Sequence, residues 1–472
     1  MPGPGLDQAK GRWATPWPRY VVAALFFLVA GTRAVAPVAG AEPGLPGMEA
    51  YRVEEPVFNG RIAVYEAGRG KARAILLVHG IGADGAREYR DQFAWLRESF
   101  HVIAVDLPGF GRSDKSNALY SPVNYVGVLK HVADRFLGRP FVLVGHSMGA
   151  LVSLRYAATY PRDVDRLVVI SVAGVLQRHA ATSRFLAHLG LGFLPGGFEW
   201  LDDLDRLASR ILTPLERLSD YPQAVLSSPQ LRESLLGADP AKIAGLAVVT
   251  DDVYRKLPDV RAETLIVWGA QDSIAPLRTG KVLALKLPRA QLAVIERAAH
   301  VPMQETPESF RAVLEPFLER GLPKAAASVA AVMSQHGEKS CRRERRRVFE
   351  GEYDKLTLEG CQQVLIRNAR VHELRILNST VTIDDSHLGG GKFGIVALDS
   401  TIVMTGGRIE GEVAISADAS RLDLAAVEVE GREAAVKASK RSYVVFSLSR
   451  LRSPYTQGEA HDFYVVTEKN PL

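Results

Sequence analysis

A chain of 472 residues, 47% hydrophobic and 24% charged, is long enough for two folded units and too apolar to be a disordered one. Its formal charge of +5 is small for that length and gives no ground for a nucleic-acid partner. Two cysteines, Cys341 and Cys361, exclude a disulfide-dense scaffold and a Cys-rich zinc module.

At the N-terminus, Lys10, Arg12 and Arg19 stand against a single acid, Asp7, and "YVVAALFFLVAG" follows from Tyr20 to Gly31. A charged stretch and then an apolar one are the pattern of a secretory signal, with Ala39-Gly40-Ala41 as an A-x-A-like cleavage site. If Arg33 is tolerated, Tyr20 to Ala41 serves instead as an uncleaved anchor. Residues 1–41 are therefore expected to direct export to the periplasm or the exterior, either cleaved off or attached to the membrane through residues 20–41. In such a compartment Cys341 and Cys361 either pair or remain free thiols.

From about residue 50 to 175, apolar runs ("AILLVHG", "HVIAVDLPG", "FVLVGHS", "RLVVISVAG") alternate with helical patterns, which predicts a parallel sheet covered on both faces. The alternation stops between about 176 and 259, where prolines and glycines break up several short helices. It resumes with "TLIVWGAQD" and "QLAVIERAAH". The fold class is α/β over residues 50–320, with the middle stretch inserted as a helical cap.

Within this region "GHSMG" sets Ser147 between an apolar strand and a helix-compatible run, the setting of a nucleophile elbow. A serine hydroxyl is a poor nucleophile at neutral pH and needs a base, which in turn needs an orienting acid. Asp272 in "WGAQDSIAP" and His300 in "VIERAAHVP" each follow an apolar strand, where ligand sites of open α/β sheets collect. Asp106 and Asp114 in "DLPGFGRSD" precede Ser147 and fit turn roles better. The backbone N–H groups of Ile81, after His79-Gly80, and of Met148 are candidate donors to an oxyanion. His79 is expected to order its loop.

Taken in order, "HGIG", "DLPGFGRSD", "GHSMG", "GAQDSIAP" and "AAHVP" resemble the recurring motifs of the α/β-hydrolase superfamily, over more than half of the chain. The resemblance implies Ser147 as nucleophile, His300 as general base, Asp272 as orienting acid, an oxyanion hole of Ile81 and Met148, and neither a cofactor nor a metal. Haloalkane dehalogenases and epoxide hydrolases share "DLPGFGRSD" but carry aspartate at the elbow, so the serine here favours acyl-enzyme chemistry. "FLAHLGLGFLPGGFEWL" in the cap points to an apolar small-molecule or lipid ester as substrate, or merely packs the cap. The alternatives are a carbon–carbon bond hydrolase of the ring-cleavage type and a non-catalytic ligand-binding protein on the same fold.

After a small, polar linker (321–340), the texture of residues 341–472 is all-β. Placing Val381, Ile402, Leu422 and Val444 in equivalent positions gives steps of 21, 20 and 22 residues, which predicts the stacked coils of a β-solenoid. A β-sandwich is the rival. The repeats resemble the right-handed parallel β-helix domains of secreted carbohydrate-active proteins, and a binding or spacer module is expected here rather than a second active site. "CRRERRR" (341–347) either grips an anionic surface such as a cell-envelope polysaccharide or is a solvated domain edge. Asp384-Asp385 and Asp399 offer paired carboxylates for sugar chemistry or, as acids commonly do, simply occupy the turns of the coils, and His372, His387 and His461 lack metal-ligand spacing.

Overall fold

The computed structural model describes residues 45–176, 221–323, 335 and 337–472. The N-terminal segment expected to direct export, the apolar cap stretch 185–201 and most of the expected linker lie outside them. No helix among the described residues is long and apolar enough to cross a membrane.

The first part is an eight-stranded sheet: β1 (Glu49–Glu55), β2 (Gly60–Ala67), β3 (Arg73–Val78), β4 (Phe100–Asp106), β5 (Phe141–His146), β6 (Val164–Ile170), β7 (Glu263–Gly269) and β8 (Ala290–Ile295), in the order β1-β2-β4-β3-β5-β6-β7-β8. β1 and β2 pair antiparallel with each other, as do β2 and β4. All later pairings are parallel. β4 and β5 are buried at every residue, which is why they read as unbroken apolar runs rather than alternating ones.

Helices α1 (Arg90–Ser99), α2 (Pro122–Phe136) and α3 (Met148–Thr159) connect the central strands. A short 3-10 helix, Gly85–Tyr89, precedes α1 in what reads as one helix in the sequence. α2 begins where Ser121 accepts a hydrogen bond from the Asn124 N–H and Pro122 occupies the first turn, several residues before the helical pattern becomes evident.

Of the cap, the described part is α4 (Tyr221–Ser227), α5 (Pro229–Leu236) and α6 (Pro240–Val249), with no strand among these residues. α5 is pinned to the loop after β4: Arg232 donates to the Asn117 side chain (3.0 Å) and to its carbonyl (3.1 Å). The body closes with α7 (Leu277–Lys286), α8 (Pro302–Glu305) and α9 (Pro307–Arg320).

The C-terminal part is all-β, and its first strand, β9 (Glu338–Arg342), begins inside the stretch expected to be linker. Strands stack in parallel, and the predicted equivalence holds at the level of single residues: Val364, Val381, Ile402, Leu422 and Val444 are successive partners, each at most 1% exposed. The parallel order excludes the sandwich. Serines stack beside this column. The Ser379, Ser400 and Ser420 N–H groups donate to the hydroxyls of Ser400, Ser420 and Ser442 at 3.2, 3.1 and 3.1 Å. Asn378, Asp399 and Ala419 before them take positive φ, so each coil turns its corner in the same way.

Cys341 and Cys361 form a disulfide that closes the first coil. At the other end the last two strands, Gln457–Ala460 and Phe463–Val466, reverse and pair antiparallel to their neighbours.

The solenoid packs against the α/β part chiefly at α7. Arg278 donates to Thr405 Oγ1 (2.8 Å), the Met404 carbonyl (2.7 Å) and Asp423, while Lys281 meets Asp384 at 2.7 Å. Leu285 lies over Gly406. Tyr254 stacks on His461, ring centroids 3.7 Å apart.

Candidate active site

Ser147 ends β5 and opens α3 with φ +51° and ψ −114°, a conformation that costs an ordinary residue about 1–3 kcal/mol. The flanking glycines make it affordable. A Cβ on Gly145 would lie 2.4 Å from the Gly149 carbonyl oxygen, and one on Gly149 would lie 2.4 Å from the carbonyl oxygens of Val78 and His79. The elbow thus turns so tightly that both positions exclude a side chain.

The turns after β5, β7 and β8 converge. His300 Nε2 is 3.2 Å from Ser147 Oγ, and His300 Nδ1 is 2.9 Å from Asp272 Oδ2. Asp272 has two tasks. Its Oδ1 accepts from the Ile274 and Ala275 N–H groups, both at 2.9 Å, so it braces its own turn with one oxygen while the other meets the imidazole. Its side chain is 0% exposed, and that of His300 13%.

Burial holds His300 below the ordinary imidazole range, against the opposing bond to Asp272, and His146 nearby adds to the lowering. A neutral imidazole whose Nδ1–H donates to a carboxylate leaves Nε2 free to accept the serine proton.

The other acids take the places expected of them. Asp106 accepts from Tyr65 Oη (2.9 Å), the Ala86 N–H (2.7 Å) and the Arg112 N–H (2.8 Å), and so ties the loops after β3 and β4 together. Asp114 pairs with Arg52 at 2.6 Å, away from His300. His79 orders its loop: Nε2 accepts from the Leu107 N–H at 2.9 Å. Ile81 follows Gly80, whose backbone crosses Ser147 so closely that a Cβ there would be 3.0 Å from that of Ser147. Met148 is the first residue of α3, where a backbone N–H has no partner within the helix.

The family model described as "Alpha/beta hydrolase family" matches residues 75–313. The chain belongs to the alpha/beta hydrolase family. This hydrolase is 28% identical to Lipase 1 of Psychrobacter immobilis over 53% of its own length and 80% of the relative's. It is 29% identical to the pimeloyl-[acyl-carrier protein] methyl ester esterase of Neisseria meningitidis serogroup B, over 53% and 94%. It is 27% identical to a 2-hydroxy-6-oxononadienedioate/2-hydroxy-6-oxononatrienedioate hydrolase of Comamonas testosteroni, over 57% and 94%.

Two residues of this hydrolase escaped the sequence reading. Glu88 lies in a stretch that reads as amphipathic helix, and His146 is one of the two variable positions of the elbow pentapeptide, yet they bond to each other at 2.9 Å next to Ser147. The signal available for finding them was a histidine next to Ser147 in a strand otherwise wholly apolar. The C-terminal candidates are absorbed by structure. Asp384 pairs with Lys281, Asp385 and Asp399 take positive φ at bends of the coils, and His387 lies 3.2 Å from Glu410.

Proposed function

We propose that this chain is an exported serine esterase that cleaves an ester with an apolar acyl or alcohol portion through an acyl-enzyme. The observation that carries the reading is the buried chain Ser147–His300–Asp272, with contacts of 3.2 and 2.9 Å.

In this mechanism Ser147 Oγ attacks the ester carbonyl carbon as His300 Nε2 takes the hydroxyl proton. Asp272 holds the ring and stabilises the imidazolium that forms. The Ile81 and Met148 N–H groups receive the negative charge that develops on the carbonyl oxygen. The tetrahedral adduct then collapses, and the departing alkoxide takes the proton from His300. Water, deprotonated by His300, attacks the acyl-serine and releases the acid, restoring Ser147.

The lipase and the methyl ester esterase among the relatives support ester chemistry. The Cys341–Cys361 disulfide supports export, since such bonds persist in oxidising compartments.

The test is labelling by a fluorophosphonate together with turnover of p-nitrophenyl esters of increasing acyl length. Labelling at Ser147 that Ser147→Ala abolishes, with turnover of at least one ester, is the expected result. Labelling without turnover of any ester transfers the reading to carbon–carbon bond cleavage, which the Comamonas relative favours and which uses the same three residues.

A further inference from the structure

Behind Ser147 lies a second histidine–carboxylate pair that the acyl-transfer steps leave unused. His146 is 2% exposed and Glu88 7%. His146 Nδ1 is 2.9 Å from Glu88 Oε2, and Nε2 is 2.9 Å from the carbonyl oxygen of His300. A carbonyl oxygen only accepts, and so does a carboxylate. An imidazole set between two acceptors must bring a proton on each nitrogen, which makes it an imidazolium.

Glu88 has a second bond. Its Oε2 accepts from the Gly80 N–H at 3.0 Å, in the turn that leads into Ile81. One buried pair therefore touches three loops: the turn after β3, the elbow after β5 and the His300 turn after β8. The rings of His146 and His300 are 4.9 Å apart.

We propose that Glu88 and His146 are positioning residues for the Ser147–His300–Asp272 set. As a carboxylate–imidazolium pair they fix the His300 turn and the Gly80–Ile81 turn against each other, and their cation disfavours a second proton on His300. The proposal rests on the catalytic reading of those three residues. The other titratable groups facing the pair are His79 on the β3 turn, Tyr89 beside Glu88, Asp272 on the β7 turn and His300 itself. Burial opposes both charges, yet their attraction and mutual hydrogen bond override it, raising His146 and lowering Glu88 from their ordinary ranges.

The two variants separate geometry from charge. His146→Gln removes the cation and shortens the reach to His300. Glu88→Gln removes the carboxylate, while its amide can donate to a neutral His146 Nδ1, leaving Nε2–H on the His300 carbonyl. His146→Gln is expected to lower kcat roughly 10- to 100-fold with little change in KM. It moves the acid limb of kcat/KM upward by about half a pH unit or more, since loss of the cation eases protonation of His300. Glu88→Gln is expected to retain more of kcat and to shift the limb in the same direction.

A third measurement needs no variant. Nitrogen-15 histidine NMR of the wild-type chain is expected to show His146, assigned through its backbone couplings, with both ring nitrogens protonated at about pH 8, where free histidine is neutral. Folded variants with unmoved kcat and acid limb, or a neutral His146 at that pH, overturn the proposal. Turnover that survives Ser147→Ala instead overturns the catalytic reading, and the NMR result stands apart from it.

Discussion

Arg278 on α7 grips Asp423 of the solenoid twice, through the carboxylate at 2.5 Å and the main-chain carbonyl at 3.0 Å. With the bonds to Thr405 and Met404, the whole guanidinium is engaged across the junction between the two parts. α7 begins a few residues after Asp272, so the solenoid buttresses the helix that follows the partner of His300.

Arg278→Ala strips these bonds and leaves the partly buried Asp423 carboxylate without its cation. The pair is not fully dry, so the cost falls below that of a buried pair, at roughly 1–3 kcal/mol. A lower denaturation midpoint, with separate transitions of the two parts, is the expected outcome in chemical unfolding. A midpoint equal to wild type would show that the other contacts carry the junction.

On the proposed mechanism, replacing Ser147 and replacing Asp272 have effects of different size. Ser147→Ala is expected to lower kcat roughly 10⁶-fold and Asp272→Asn roughly 10⁴-fold, with circular dichroism unchanged for the serine variant. Asp272→Asn also forces the wrong tautomer on His300. Steady-state kinetics on the best p-nitrophenyl ester decides the order.

With His300 as the proposed base, activity is expected to persist into mild acid. The base form of His300 is neutral, and burial favours that form, so protonation waits until the pH is below the ordinary imidazole range. The acid limb of kcat/KM is accordingly expected below about pH 6.5. A limb above that value in the wild-type enzyme would contradict the environment of His300.

His461 couples stability to pH. Burial against Tyr254 pushes it down to about 4 from an ordinary 6.5, and its Nδ1 accepts from the Leu448 N–H at 3.3 Å, a role open only to the neutral ring. The unfolded chain therefore binds a proton that the folded one refuses. The stability this contributes is complete above about pH 6.5 and is lost as the pH falls toward about 4, by at most about 3 kcal/mol. His461→Phe keeps a ring on Tyr254 and is expected to flatten that part of the midpoint-against-pH curve.

Ser400 is 4% exposed and supplies the acceptor for the Ser379 N–H. Ser400→Ala leaves that donor unsatisfied inside the solenoid, at a cost of roughly 1–3 kcal/mol, whereas Ser400→Thr retains the oxygen. Thermal unfolding of the two variants side by side measures the difference.

What could be read in the sequence shares a physical trait. The column Val381, Ile402, Leu422 and Val444 was legible because a solenoid repeats its register along the chain. Ser147, Asp272 and His300 were legible because each follows a strand of one sheet, so topology alone gathers them. Arg278 with Asp423 and Glu88 with His146 lie 145 and 58 residues apart and join side chains across packed surfaces. No periodicity records such pairs, and a charged residue destined for burial looks like one destined for solvent until its partner is known. The start of the solenoid at Glu338 was hidden for a related reason: β9 exposes four of its five residues and lacks the alternation that marks a strand.

The two ends of the solenoid have a consequence for colloidal behaviour. A stack of parallel strands offers at each end an open row of N–H and C=O groups that could recruit a strand from another molecule and continue the stack into a fibre. Here the top is closed by reversed strands of only four residues, while the bottom strand exposes the side chains of Glu338, Lys339 and Arg342 beside the arginine-rich run 342–347. Short reversed edges at one end and a dense set of charged side chains at the other make each end of the stack a poor template, so the repeat that lets the module stack internally is kept from propagating between copies.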